Sequence, residues 1–179
     1  MQCIALLRGI NVGGKNMIKM PALREVLTIP GIRSASTWLQ SGNIVFDADI
    51  NDGAILEQRI TDRIAHEFGL SVTVLVRSGQ EWKDIIRNMP WTDNPAGVAE
   101  HGHVTFLQTI PEAQKAAVLD MKHDDGEFWA LKGREVYLYC PFGYGRTKLT
   151  NSVFERKLGM PATTRNWKTI LALNMMLDS

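Results

Sequence analysis

A chain of 179 residues, 45% hydrophobic and 22% charged, can bury a core as one ordinary domain or as two small ones. Its composition is that of a soluble globular protein, and a formal net charge of +1 argues against a strongly nucleic-acid-seeking or membrane-seeking one. The near-zero total conceals a segregation. Residues 1–46 carry Arg8, Lys15, Lys19, Arg24 and Arg33 against the single acid Glu25, residues 132–179 are also basic, and the acids concentrate between them.

Residues 2–8 (QCIALLR) form an almost unbroken apolar run, as expected of a central strand buried on both faces. After a glycine-rich loop, Pro21 suits the first turn of a helix to about Leu27, with Gly31 beyond its end. Residues 32–39 and 43–48 read as two strands joined by the turn Gln40-Ser41-Gly42-Asn43. Asp52 or Gly53 opens a long helix whose apolar residues Ile55, Leu56, Ile60, Ile64 and Phe68 recur at helical spacing, and Gly69 stops it. Residues 71–77 (SVTVLVR) make the next strand. The order is β-α-β-β-α-β, the ferredoxin-like arrangement.

A short helix at 80–88 and a loop through Pro90, Asn94, Pro95 and Gly97 read as a linker. The second half then repeats the scheme: a strand at 103–109, a helix from Pro111 to about Met121, and strands at 127–131 and 134–140. A polar loop leads to a helix near 152–158, begun by the capping box Ser152-x-x-Glu155 and closed by Gly159. A last helix over about 164–177 follows Pro161, with Thr163 or Thr164 as N-cap. The expected class is α+β in two layers, with two ferredoxin-like lobes, the second ending in extra helices instead of a strand. The expected divisions are 1–78, a helix and linker over 79–100, and 101–179.

Three motifs carry the chemistry. Gly9-Ile10-Asn11-Val12-Gly13-Gly14-Lys15-Asn16 is one residue short of a P-loop: Asn16 stands where a Ser or Thr hydroxyl would hold magnesium. The following helix begins too late for its amides to cradle phosphate, so nucleotide hydrolysis is not expected. Three glycines among Arg8, Lys15 and Lys19 still suit another anion, although the same glycines could simply serve a compact turn. Gln40, Ser41 and Asn43 lie at the hairpin end that antiparallel pairing would place beside this loop, and Gly42-Asn43 equally suits a plain turn. Arg146, Lys148 and Asn151, with Arg165 further on, supply long donors near two helix starts. His101 and His103 lack further ligands at metal spacing, neither Cys3 nor Cys140 lies in a nucleophile motif, and no general acid or base is evident among the basic loops. Neither metal nor cofactor is nominated. The single aromatic on the third strand, and none on the first, argues against RNA readout by stacking.

These same blocks carry a family resemblance. LLRGINVGGKN with IKM (residues 6–20), QSGNIVF (40–46), GRTKLTN (145–151) and TTRNWKT (163–169) resemble the signature blocks of domain of unknown function family 1697. The resemblance implies two ferredoxin-like lobes in a bacterial, cytoplasmic protein, and it carries no activity with it.

The combined expectation is a protein binding a phosphorylated or carboxylated small ligand between the glycine loop and the C-terminal Arg/Lys segments. Its candidate contacts are Arg8, Asn11, Gly13, Gly14, Lys15, Asn16, Lys19, Gln40, Ser41, Asn43, Arg146, Lys148, Asn151 and Arg165, the cations neutralising the anion and the amides orienting it. A group-transfer enzyme on such a ligand is one alternative, and a nucleic-acid or protein-interaction module another. With no export signal and no apolar run near the roughly 18 residues of a membrane helix, a cytoplasmic protein without a membrane partner is expected, its two cysteines reduced and buried.

Overall fold

The computed structural model describes residues 1–117, 119 and 125–177. Contacts gather the chain into two compact units, Met1–Asp84 with Ala172–Ser179, and Ile85–Leu171. Each holds a four-stranded antiparallel sheet covered by helices, an α+β architecture.

The first unit runs β1 (Gln2–Leu7), α1 (Met20–Val26), β2 (Ile32–Trp38), β3 (Asn43–Ala48), α2 (Gly53–Phe68) and β4 (Val74–Ser78), then enters α3 (Gly79–Arg87). Its strand order is β2-β3-β1-β4. The apolar run of β1 is explained by that central place. Cys3, Ala5 and Leu7 join the core beneath α1 and α2, while Ile4 and Leu6 are buried on the opposite face. The α2 helix starts where its sequence says it should, because Asp52 accepts from the amides of Ala54 (2.9 Å) and Ile55 (3.2 Å). It ends at Gly69, held in the left-handed region at φ 65°. Between these caps Leu56, Ile60 and Ile64 recur every fourth residue and are buried on the sheet.

The second unit contains α4 (Pro95–His101), β5 (Gly102–Leu107), α5 (Ala113–Ala117), β6 (Phe128–Lys132), β7 (Glu135–Tyr139), α6 (Asn151–Leu158) and β8 (Ala162–Asn166), then enters α7 (Trp167–Leu177). Its order is β6-β7-β5-β8. Three expectations are corrected here. Residues 162–166 form a strand rather than the start of a helix. Thr163 and Thr164 pair with Phe106 and Thr105 of β5, and Asn166 caps α7 by accepting from Thr169 N at 2.8 Å. The stretch read as linker contains α4: Asn94 accepts from Gly97 N at 3.1 Å and Pro95 occupies the first turn, so the loop-like residues are a helix start. Thr150, not Ser152, caps α6, and Glu155 accepts from Ala162 N at 2.9 Å instead of folding back. The helix expected to reach about Met121 is described over Ala113–Ala117, and residues 118, 120 and 121 lie outside the described ones.

With β8 in place, both units follow β-α-β-β-α-β, and the repeat extends to single residues. Arg77 on β4 lies opposite Ile4 of β1, and Arg165 on β8 lies opposite Val104 of β5. Both arginines are buried.

Both cysteines are free and buried. Burial pushes the Cys3 and Cys140 thiols up to about 11. The thiolate is therefore scarce at neutral pH, and an aromatic disulfide reagent is expected to titrate neither thiol in the folded protein and both after denaturation. Rapid native titration of either would contradict this packing.

Candidate functional site

The glycine loop leaves the end of β1, and five of its eight residues, 9–16, are left-handed. Gly9, Asn11, Gly13, Gly14 and Asn16 have φ of 70°, 53°, 58°, 74° and 49°. Val12 and Lys15 form a bridge, with Lys15 N donating to Val12 O at 3.0 Å. Gly13 and Gly14 are the central pair of that two-residue turn, and positive φ at both is what a type I′ turn requires. The loop is a miniature hairpin without the helix start of a P-loop, since α1 begins only at Met20, with Lys19 as its extended N-cap residue.

Asparagines hold this shape. The Asn11 side chain donates to Ile18 O (3.0 Å) and Gln40 O (2.7 Å) and accepts from Ile18 N (2.8 Å). Asn16 donates to Gly9 O at 3.0 Å. In the neighbouring hairpin, Asn43 is fully buried and donates to Trp38 O (3.0 Å) and Ser41 Oγ (2.9 Å). The two loops are joined directly. Leu7 N donates to Gly42 O at 2.8 Å, and a Cβ on Gly42 would lie 2.6 Å from Leu7 Cβ and 2.9 Å from Ile10 Cδ1. The antiparallel pairing of β1 and β3 does bring Gln40, Ser41 and Asn43 to the glycine loop.

The candidates of this unit therefore divide. The amides of Asn11 and Asn16 hold backbone in place, and that of Asn43 holds the Trp38 carbonyl and the Ser41 hydroxyl, so these bonds serve the loops themselves. Lys15, Lys19, Gln40, Ser41 and the tip glycines Gly13 and Gly14 are exposed, while Arg8 is half-buried with its backbone amide on Thr73 O at 2.9 Å.

In the second unit Arg146 and Lys148 are exposed on the loop before α6. Arg165 is not. Its Nη1 donates to Thr163 Oγ1 (2.7 Å) and Thr164 O (2.9 Å), and burial pulls its pKa down to about 10 against the favourable field of Tyr144. Asn151 donates to Ala162 O at 3.4 Å and, through its backbone N, to the Tyr144 hydroxyl at 3.1 Å. That hydroxyl reaches Thr164 Oγ1 at 2.9 Å, which in turn meets Thr105 Oγ1 at 2.8 Å. His103 stacks on the Tyr144 ring with centroids 5.0 Å apart. The register of β5 with β8 brings Thr105 to Thr164, and Tyr144 and His103 join them through the hydroxyl bond and the ring stack, contacts that no sequence spacing marks.

Burial holds the His103 pKa below its ordinary 6.5, outweighing the bond to the His101 carbonyl that favours the charged ring. In the unfolded chain this ring protonates at higher pH than in the folded one, so acidification draws protons into the unfolded state. The stability due to neutral His103 is complete above about pH 6.5 and is lost as pH falls toward the lowered folded value. Urea midpoints followed downward from pH 7 are expected to fall less steeply for His103→Gln than for the parent.

Residues 1–137 match the family described as Protein of unknown function (DUF1697). The chain belongs to that family. The match takes in the glycine loop and the Gln40–Phe46 block, while GRTKLTN and TTRNWKT fall beyond it. No curated protein matches. A solved structure described as conserved bacterial protein SP0830 from Streptococcus pneumoniae is similar over 98% of this DUF1697 chain and 98% of its own, at TM-score 0.75 and 24% identity. That likeness speaks for the fold alone. No helix among the described residues is long and apolar enough to cross a membrane.

Proposed function

We propose that this protein is a cytoplasmic binder of a phosphorylated or carboxylated small ligand, and that the hairpin tip around Lys15 is where the anion docks. The supporting observation is the form of the tip. Gly13 and Gly14 have nothing within 4 Å of where a Cβ would lie, and among the described residues their amides have no hydrogen-bond partner. An anion can therefore approach the backbone closely, with Lys15 and Lys19 supplying charge and Gln40 and Ser41 supplying neutral donors. The Asn11 clamp favours binding by fixing the tip beforehand, so that little ordering remains for the ligand to impose. Arg146 and Lys148 are proposed as anion contacts of the second unit.

The test is titration with inorganic phosphate and pyrophosphate followed by backbone amide shifts. Movement is expected at Gly13, Gly14 and Lys15, and Lys15→Gln should weaken binding about fivefold, or about 1 kcal/mol. Unmoved tip amides would remove the proposal.

A further inference from the structure

Beside the cations of this tip lies apolar surface that a simple phosphate or sugar phosphate does not use. Val12, Met17 and Leu39 are 65%, 63% and 60% exposed, and Trp38 is 38% exposed. The fold gathers them. Val12 follows Asn11 and Leu39 precedes Gln40, the two residues joined by the 2.7 Å bond, while Met17 precedes Ile18, which Asn11 holds at both its N–H and its carbonyl. Trp38 adjoins Leu39, and Asn43 anchors its carbonyl.

Leu39 adds a second, independent observation. It is held at φ 57°, in the left-handed region that a leucine rarely enters. An unfavourable backbone that displays a large apolar side chain to water calls for a purpose, since an asparagine or glycine there would relieve both penalties. Within residues 1–46, which supply both loops, Glu25 is the single acid.

We infer that the ligand of this tip is an amphiphilic anion: a phosphate or carboxylate carried on an apolar chain or ring system. Lys15 and Lys19 take the charged head, and Val12, Met17, Trp38 and Leu39 take the apolar body. This inference rests on the anion-binding reading and narrows it. The occupant is a single soluble amphiphile, the small ligand of the reading above, and the headgroup face of an anionic bilayer is the competing occupant that the test separates from it.

The experiment compares methyl phosphate with dodecyl phosphate below its micellar concentration, with uncharged octyl glucoside as a control, by calorimetry and amide shifts. Dodecyl phosphate is expected to bind at least about tenfold tighter than methyl phosphate, a difference of about 1.4 kcal/mol. Leu39→Asn combined with Met17→Gln should abolish that advantage while leaving methyl phosphate binding intact. Asparagine tolerates the left-handed conformation, so the variant keeps its fold. Equal binding of the two phosphates overturns the inference and leaves the anion reading standing. Binding of neither ends both, and octyl glucoside binding as tightly as dodecyl phosphate overturns the role of charge. Sedimentation with phosphatidylglycerol vesicles but not with phosphatidylcholine vesicles, without binding of dodecyl phosphate, overturns the inference and turns the surface over to an anionic bilayer. Monomer binding without sedimentation assigns it to a soluble amphiphile.

Discussion

Gly42→Ala is expected to destabilise the protein by roughly 3 kcal/mol and to lower its thermal midpoint by about 10 °C. Two effects add. The residue sits at φ 75°, where any Cβ costs about 1 kcal/mol or more. That Cβ would also stand 2.6 Å from Leu7 Cβ, a distance side-chain atoms do not tolerate, with Ile10 behind it at 2.9 Å. Leu7 Cβ is not the far end of a flexible side chain, so the hairpin or the end of β1 must move, and the Leu7–Gly42 bond of 2.8 Å strains with it. Gly13→Ala and Gly14→Ala provide the contrast. Their φ values are also positive, yet nothing lies within 4 Å, so each should cost only about 1 kcal/mol. Urea unfolding of the three variants decides the matter. If Gly42→Ala unfolds no more readily than Gly13→Ala, the close packing of the two loops is not what fixes their positions.

Most of the fold was legible because its signals are local. The apolar run of β1, the Asp52 and Gly69 caps of α2 and the Lys132-Gly133 hairpin each speak through a few consecutive residues. The failures share a different cause. Residues 162–166 read Ala-Thr-Thr-Arg-Asn, with one aliphatic residue and no alternation, so only pairing with β5 makes them a strand. Two threonines after a proline then look like a helix cap. Asn94, Pro95 and Gly97 erred in the same way: each favours both a turn and a helix start, and the choice depends on the Asn94 side chain finding Gly97 N.

The meeting of the two loops was legible, but the hydrogen bonds of their side chains were not. The chain position of the loops, and the antiparallel pairing that unites them, followed from strand order. What the sequence could not reveal is that Asn11, Asn16 and Asn43 point their amides at backbone. Side-chain amides serve a loop and a ligand with the same atoms, and only geometry tells the two apart. The exposed apolar flank was equally hidden. Val12 and Leu39 lie far apart in sequence, and a leucine at φ 57° has no compositional mark.

Asn11→Ala should cost about 2–4 kcal/mol, with the loss confined to the glycine loop and its neighbour. Three hydrogen bonds vanish together, and the buried carbonyl and amide of Ile18 lose their shared partner. Alanine also accepts the 53° φ less readily than asparagine. Asn11→Asp should be no better, since a carboxylate can still accept from Ile18 N but meets the carbonyls of Ile18 and Gln40 with no proton to offer. Amide exchange of residues 9–18 is the sensitive readout, because a released loop exchanges rapidly while α2 and β1 remain protected. Gln40→Ala separates the two roles of this corner. The clamp reaches the Gln40 backbone oxygen, so removing the side chain should change stability by less than about 0.5 kcal/mol. The same substitution should weaken phosphate binding at the tip if the exposed amide contacts the anion. A Gln40→Ala protein that loses stability as Asn11→Ala does would show the clamp to run through the side chain, and the geometric division of labour among these residues would fail.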